Sequence, residues 1–455
     1  MKQLSTSRRN RRQFLRGAAA AGVAVAAPYV IPSFALGLGE AVAPSERITL
    51  GFIGIGMMGR GHLRIFLSYP ETQVLAVCEV DRWRREDAKN TVEQVYAAKQ
   101  SAGTYRGAEA YHDLRELLAR DDVDAVVIAT GDNWHGPATV MAAKAGKDIY
   151  CEKPISKTIR EARAMVEAAQ CYGRVAQIGL QQRSTPEFIK ACGLVRSGRI
   201  GQVKFVYVAF PGASSDVNLS AEPVPEGLDW DLWLGPAPWH PFNGRFHYYG
   251  KPPRVVPWDF CRDFGGGNLT SNAVHAFDVV QWALGMDESG PVEVIPPETG
   301  QVPSLSYKYA NGALLQVVDW KLDKQKHFVP EGWDVNTRIE NFGALYVGSE
   351  GWIHVGREGY LKAHPAEIIA ETRSGPGARN LVTNHHQNWL DCIRSRQRPA
   401  CDVAVGCRST IVAHLGCIAH WTGRPLKWDP VKEEFLGDEE ANRLRFRAMR
   451  PPWSV

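Results

Sequence analysis

Ile48-Thr-Leu-Gly-Phe-Ile53 runs straight into Gly54-Ile-Gly-Met-Met-Gly59, and helical spacing continues from there through Leu67. The apolar run suits a buried parallel strand. The glycines then have separate duties. Gly54 permits a tight turn, Gly56 lets backbone approach a pyrophosphate, and Gly59 lets helix pack close on strand. With Met57 and Met58 they put a helix N-terminus in front of a phosphate group. Three glycines at this spacing are weak evidence alone; here the required strand precedes them and the required helix follows. The second strand, Gln73–Cys78, ends in Glu79 and Asp81. These stand at the distance from Gly59 where an acid binds adenosine ribose hydroxyls. Arg82, Arg84 and Arg85 could instead receive a 2′-phosphate. An acid at the strand end repels that phosphate, so NAD is expected in preference to NADP.

The alternation continues. A short helix is expected over Tyr111–Leu118, a strand over Asp124–Thr130, and a loop over Gly131-Asp-Asn-Trp-His135. A helix from Gly136 to Ala145 and a strand over Asp148–Cys151 follow, the strand ending in Glu152-Lys153-Pro154. Strand and helix at this spacing predict an α/β fold with a doubly wound parallel sheet. Ligands of such sheets bind beyond the carboxyl ends of the strands. Thr130, Trp134, His135, Glu152 and Lys153 all fall there.

The first 35 residues read as an address. They carry six cations (Lys2, Arg8, Arg9, Arg11, Arg12, Arg16) and no acid. The apolar stretch Gly17–Ala27 is too short and small-sided for a stable membrane span, and Ser33-Phe34-Ala35 suits a cleavage site. The paired arginines beside Phe14-Leu15 resemble a twin-arginine export signal, so a periplasmic or secreted protein is expected. Without these six cations the net charge of +4 becomes −2, which gives a nucleic-acid partner no electrostatic argument. The nine cysteines form no CxxC pair, against a disulfide framework or zinc knuckle. No metal site is expected either, because adjacent His385 and His386 on a helix would point about 100° apart.

From Glu152-Lys153-Pro154 onward the chain resembles the glucose–fructose oxidoreductase, inositol dehydrogenase and rhizopine-catabolism family. The likeness is carried by Gln177-Ile-Gly-Leu-Gln-Gln-Arg183, Leu228-Asp-Trp-Asp-Leu-Trp-Leu-Gly235, Gly265-Gly-Gly-Asn-Leu, His275-Ala-Phe-Asp278, Asn388-Trp-Leu-Asp-Cys-Ile393 and Gly437-Asp-Glu-Glu-Ala-Asn442. The export signal and Trp-rich loops look most like its secreted, sugar-directed members. The resemblance implies three parts: a signal peptide at 1–35, a Rossmann domain at 46–174, and a substrate-binding α+β domain at 175–455. The last would hold a large open, mainly antiparallel sheet and a C-terminal arm. Val203–Ala209, Leu305–Tyr309, Leu314–Val318 and Ala344–Val347 read as its strands, 384–395 and 405–421 as helices, and 210–260 as long ordered loops.

The resemblance also implies roles. Lys153 would share the proton or polarise the oxygen of a carbinol, and His275, near the start of a helix reaching Leu284, would be the acid–base residue. Arg183, Ser271, Trp134 and Asp278 are candidate substrate contacts. The family has an aspartate four residues before this histidine, whereas this chain has Ser271. A serine forms hydrogen bonds but holds no charge near neutral pH. The implied function is oxidation or reduction of a sugar, glycoside or cyclitol by a tightly bound nicotinamide, in a homo-oligomer. Two alternatives stand beside it: a redox-neutral glycosidase- or lyase-type cycle through transient oxidation, and a catalytically silent Rossmann binding protein, which Ser271 favours.

Overall fold

The computed structural model describes residues 42–98, 105–248, 257–370 and 384–455. The signal-like residues 1–35 lie outside them. The described residues up to Arg47 belong to one unit and those from Ile48 onward to another. In the first, Pro44–Glu46 make a 3-10 turn, and the Arg47 guanidinium donates to the Val42 carbonyl at 2.8 and 3.0 Å.

The second unit begins with β1 (Ile48–Ile53), α1 (Met57–Ser68), β2 (Thr72–Cys78), α2 (Arg82–Val95), β3 (Glu109–Tyr111) and α3 (Leu114–Leu118). Then come β4 (Ala125–Ile128), α4 (Asp132–Lys144), β5 (Asp148–Cys151), α5 (Ile159–Cys171) and β6 (Ala176–Ile178). Among the described residues these six strands form one sheet in the order β3-β2-β1-β4-β5-β6, every pair parallel. Strand order reverses between β1 and β4, so the crevice opens at their carboxyl ends. β4 and β5 are buried along their whole length, the expected condition for strands covered on both faces. The parallel sheet runs past residue 174, since β6 pairs with β5.

After it come α6 (Pro186–Arg196), β7 (Val203–Val208), α7 (Trp230–Leu234), α8 (Asn268–Ser271), α9 (Ala273–Ala283), β8 (Pro291–Ile295), β9 (Leu305–Tyr309) and β10 (Leu314–Val317). The chain continues with β11 (Ala344–Gly348), β12 (Trp352–Val355), β13 (Leu361–His364), α10 (Glu367–Ala370), α11 (His385–Ser395), α12 (Val403–Thr422), β14 (Leu426–Asp429), β15 (Glu434–Phe435) and α13 (Glu439–Arg443). The described strands form a second sheet, β13-β12-β11-β7-β10-β9-β8-β14-β15. Only the β7–β10 pair is parallel, so the sheet is mainly antiparallel, as expected. α12 is long and apolar enough to cross a membrane by length and composition alone, yet most of it is buried in the protein. It packs on both α5 and α9 and so ties the two sheets together.

Two local readings need correction. Tyr111 ends strand β3, and the helix begins only at Leu114, capped by the Asp113 side chain. The expected loop 131–135 is the first turn of α4, with extended Gly131 as its N-cap. Pro137 within that helix has no N–H for the Asn133 carbonyl four residues back. Arg447, 314 residues away, donates to that carbonyl instead, at 2.7 Å. The same guanidinium binds the fully buried Glu161 at 2.8 and 3.1 Å. The Thr158 hydroxyl caps α5 by accepting from the Glu161 backbone N–H, and the Glu161 carboxylate accepts from that hydroxyl.

Candidate active site

The switch point opens into a cleft of about 610 Å³. Gly54 takes φ +88°, and a Cβ there would lie 2.7 Å from the Ala129 carbonyl. A Cβ on Gly59 would sit 2.1 Å from the Gly54 oxygen. Gly56, by contrast, faces open space, with nothing within 4 Å of where its Cβ would be. Gly56 also caps α1 without a side-chain hydrogen bond, and no acid stands in the first turn. Among the described residues no side chain caps this helix end, and the Glu79 carboxylate reaches the Ile55 N–H just before it, which leaves the first-turn N–H groups for a pyrophosphate. Met57 and Met58 stay exposed beside the cradle.

Glu79 is buried at the cleft wall, where its carboxylate accepts from Ile55 N–H at 2.7 Å and Asp81 N–H at 3.2 Å. A carboxylate has about four acceptor positions, so capacity remains for a ribose. Asp81 does not line the cleft. It is fully buried, caps α2 through Arg84 N–H, and pairs with the Arg84 guanidinium at 3.3 Å and His247 at 3.0 Å. Its strand-end position serves the fold, and the ribose role expected for it has no geometric support. Arg84 is tied to Asp81 and the Tyr248 carbonyl, Arg85 donates to the Glu79 carbonyl, and Arg82 pairs with Glu226. None stands as an isolated cation awaiting a 2′-phosphate.

Thr130, Trp134, His135, Glu152 and Lys153 all line the cleft. Lys153 Nζ donates to the Ser271 carbonyl at 2.8 Å, which joins the Rossmann wall to α8. Burial opposes charge on Glu152, but a 2.8 Å contact to His62, with the Lys153 charge near, outweighs it and holds the pKa down at about 2. His135 has one nitrogen 2.6 Å from the Pro154 carbonyl and so carries its proton there. Burial lowers its pKa, and the other nitrogen, Nε2, has no hydrogen-bond partner among the described residues.

Trp134 is an anchor more than a platform. Its indole N–H donates to the Leu232 and Trp233 carbonyls, and its ring meets Trp453 edge-on at 4.6 Å. Arg183 and Asp278 do not reach the cleft. They bind each other at 2.9 Å, buried, with Asp287 and Ser409 completing the cluster. Long polar side chains that look available in sequence are consumed here by one another. His275 is buried behind the cleft, edge-on to Phe342 and beside Gln182, whose correctly oriented amide nitrogen lies 2.9 Å from Nδ1. Burial, then the charges of Lys153 and Arg357, hold its pKa well below the ordinary histidine value. It is neutral, and with Nδ1 accepting from Gln182 its proton sits on Nε2; it is not among the residues that line the cleft, so the acid–base role expected for it has no geometric support.

The sequence reading passed over Asp132 and Asn133 of α4, Asn268 and Asn272 around α8, and Asp259, which all line the cleft. Asp132 was findable, because it follows a strand end by the same rule that marks Thr130. The aromatic segment from 210 to 260 offers no periodic signal that would have placed the others. Part of it closes the adenosine end: Arg82 N–H donates to Gly227, Asp229 N–H to Val80, and Asp81 pairs in a β-bridge with Leu228.

Two family models cover most of the chain: "Oxidoreductase family, NAD-binding Rossmann fold" matches residues 48–180 and "Oxidoreductase family, C-terminal alpha/beta domain" residues 203–455. Inositol 2-dehydrogenase 2 of Saccharopolyspora erythraea is 29% identical over 76% of this chain and 82% of its own length. The inositol 2-dehydrogenase of Salmonella paratyphi B is 31% identical over 36% of this chain, a match that spans 46% of that relative. Among solved structures, aldose-aldose oxidoreductase from Caulobacter crescentus, complexed with glycerol, has a TM-score of 0.54 at 18% identity, over 84% of this chain and 99% of that one. The WlbA dehydrogenase from Bordetella pertussis, in complex with NADH and UDP-GlcNAcA, has a TM-score of 0.52 at 17% identity, over 84% and 99%. With both halves matched in order on the fold just described, the chain belongs to the glucose–fructose oxidoreductase, inositol dehydrogenase and rhizopine-catabolism family of oxidoreductases.

Proposed function

We propose that this chain acts on a sugar, glycoside or cyclitol with a tightly held NAD. The observation that carries the reading is that the uncapped end of α1 and the Lys153 amine open into one cleft. Gly54, Gly56, Gly59 and the first turn of α1 would hold the pyrophosphate, and Glu79 the adenosine ribose. NAD fits better than NADP because a buried carboxylate stands at that ribose and each nearby arginine has an acid or carbonyl partner. When bound, the nicotinamide accepts or returns a hydride at a carbinol carbon. Lys153 polarises the hydroxyl oxygen and passes its proton. Mass spectrometry of nucleotide released from the purified protein tests this reading.

The closure of the adenosine end by residues 227–248 favours a second, narrower reading, in which the cofactor is regenerated in place. Either a second substrate reoxidises it, or the last step of the reaction reverses the first. That suits export with the cofactor already bound, which the arginine pair and Ser33-Phe34-Ala35 support. Replacing Arg11 and Arg12 with lysine is expected to leave precursor in the cytoplasm. Unchanged export of that variant, followed by fractionation and immunoblot, would refute the twin-arginine assignment.

A further inference from the structure

A chain of hydrogen bonds leads from the wall of the cleft toward the outside of the protein. Glu152 lines the cleft yet is only 3% exposed. Its Oε1 lies 2.8 Å from His62 Nε2 and accepts from Gln181 Nε2 at 3.2 Å, and its Oε2 accepts from the Lys153 backbone N–H at 3.1 Å. Three of about four acceptor positions are thus used, and one remains for the cleft. The fit is close, for a Cβ on Gly179 would come 2.4 Å from Oε1. His62, on α1, is buried in turn, and its second nitrogen, Nδ1, lies 2.9 Å from His386 Nε2. His386, on α11, is partly exposed, and no further hydrogen bond holds its ring among the described residues.

The three side chains are held in register by their neighbours. His386 stacks on Tyr150 at 5.3 Å with the planes 17° apart and meets Phe66 edge-on at 5.2 Å. His385 beside it lies 2.8 Å from both the Ser184 hydroxyl and the Ile178 carbonyl, which pins the start of α11. Besides the two histidines, Glu152 is faced by the Lys153 and Arg357 charges and by Tyr150, His135 and His385. His386 is faced by His62, His385 and Glu152. Two imidazoles in contact through ring nitrogens share one proton, and each ring can take a proton on one nitrogen as it gives up the other. The two ends of the chain are also matched. Against burial, the His62 contact holds Glu152 at about 2, and burial pushes His386 down to about 3.

We propose that Glu152, His62 and His386 form a proton relay between the cleft and solvent. The inference rests on the proposed carbinol oxidation. In that reaction the C–H bond breaks and both its electrons leave with the hydride to the oxidised nicotinamide. The hydroxyl proton, passed by Lys153 through the cleft they share, goes to the Glu152 carboxylate. Glu152 gives it to His62 Nε2, His62 gives up the proton on Nδ1 to His386 Nε2, and His386 releases one from its own Nδ1 to water. One proton leaves the protein for each hydride taken, and reduction of the ketone draws one in by the reverse path. The cleft does not have to open for this exchange.

Proton magnetic resonance of the protein as purified reads the relay without substrate, through solvent exchange of the His62 ring N–H. A relay exchanges this buried proton by way of His386. His386→Phe keeps an aromatic ring against Tyr150 and should slow the exchange by about 10²-fold, the low end for a positioned proton-transfer group. A merely structural chain gives the opposite sign, since loss of a hydrogen-bond partner loosens His62 and speeds exchange by local opening. If His386→Phe fails to fold, His386→Gln decides. With a turned-over cyclitol such as myo-inositol, His386→Phe should lower kcat with KM unchanged, and free imidazole in the buffer should restore most of the loss. Glu152→Gln should lower kcat as well, and imidazole should not rescue it, because that block lies on the cleft side. Exchange that is unchanged or faster in the His386 variant overturns the relay. Failure of the wild type to bind any nicotinamide nucleotide overturns the functional reading instead, whatever the exchange result.

Discussion

Lys153→Ala is expected to lower turnover by about 10²–10⁴ while leaving the fold and nucleotide binding in place. Lys153 is the only lysine that lines the cleft among the described residues. Its ammonium is held 2.8 Å from the Ser271 carbonyl, within reach of a hydroxyl that replaces or joins that contact. The alanine variant loses both the charge that favours a developing alkoxide and the group that moves the proton. Glu152 keeps its charge in the variant because His62 remains as its partner, so the backbone turn after β5 is preserved. Lys153→Arg should not rescue turnover. A guanidinium retains the charge but releases no proton in the accessible pH range. Steady-state kinetics on a turned-over sugar, with nucleotide affinity and melting temperature measured on the same preparations, checks the expectation. Near-normal kcat in the alanine variant would exclude Lys153 from the chemistry.

Arg447→Met should cost about 3–5 kcal/mol of stability, the usual range when one partner of a buried ion pair is removed. The Glu161 side chain has no exposure, and Arg447 binds both of its oxygens. The same guanidinium satisfies the Asn133 carbonyl freed by Pro137. Its loss therefore leaves an uncompensated charge and an unpaired carbonyl at the turn of α4 that carries Asp132, Trp134 and His135. Loss of nucleotide affinity should accompany the loss of stability. Adding Glu161→Gln should recover part of the deficit, because the stranded charge is then gone. Urea midpoints for the two variants and the wild type decide it. A deficit below about 1 kcal/mol for Arg447→Met, typical of a surface pair, would mean that the C-terminal arm does not hold the site.

The parts legible in the sequence were those fixed by short-range requirements. Gly54, Gly56 and Gly59 need neighbours only a few residues away, and β4 and β5 are apolar because both faces are covered. What escaped depends on distant residues. The first turn of α4 looked like a loop because Gly131, Asn133, Gly136 and Pro137 are all turn or breaker signals, and the remedy is Arg447. Arg183 and Asp278 looked available because sequence does not report that they face each other in the interior. Asp81 stood at the right distance for a ribose, but spacing alone does not distinguish a ribose acid from an N-cap. Asp259 belongs to an aromatic segment without periodicity, and its place depends on the backbone of Gly267.

The central claim, that this fold is built around a retained nicotinamide nucleotide, is tested most directly by purifying the protein without added cofactor, denaturing it, and quantifying released small molecules by mass spectrometry. The account expects NAD(H) at close to one per chain, well in excess of NADP(H). Protein that is folded yet releases no nicotinamide nucleotide, and that binds neither NAD nor NADP when they are supplied, would contradict it.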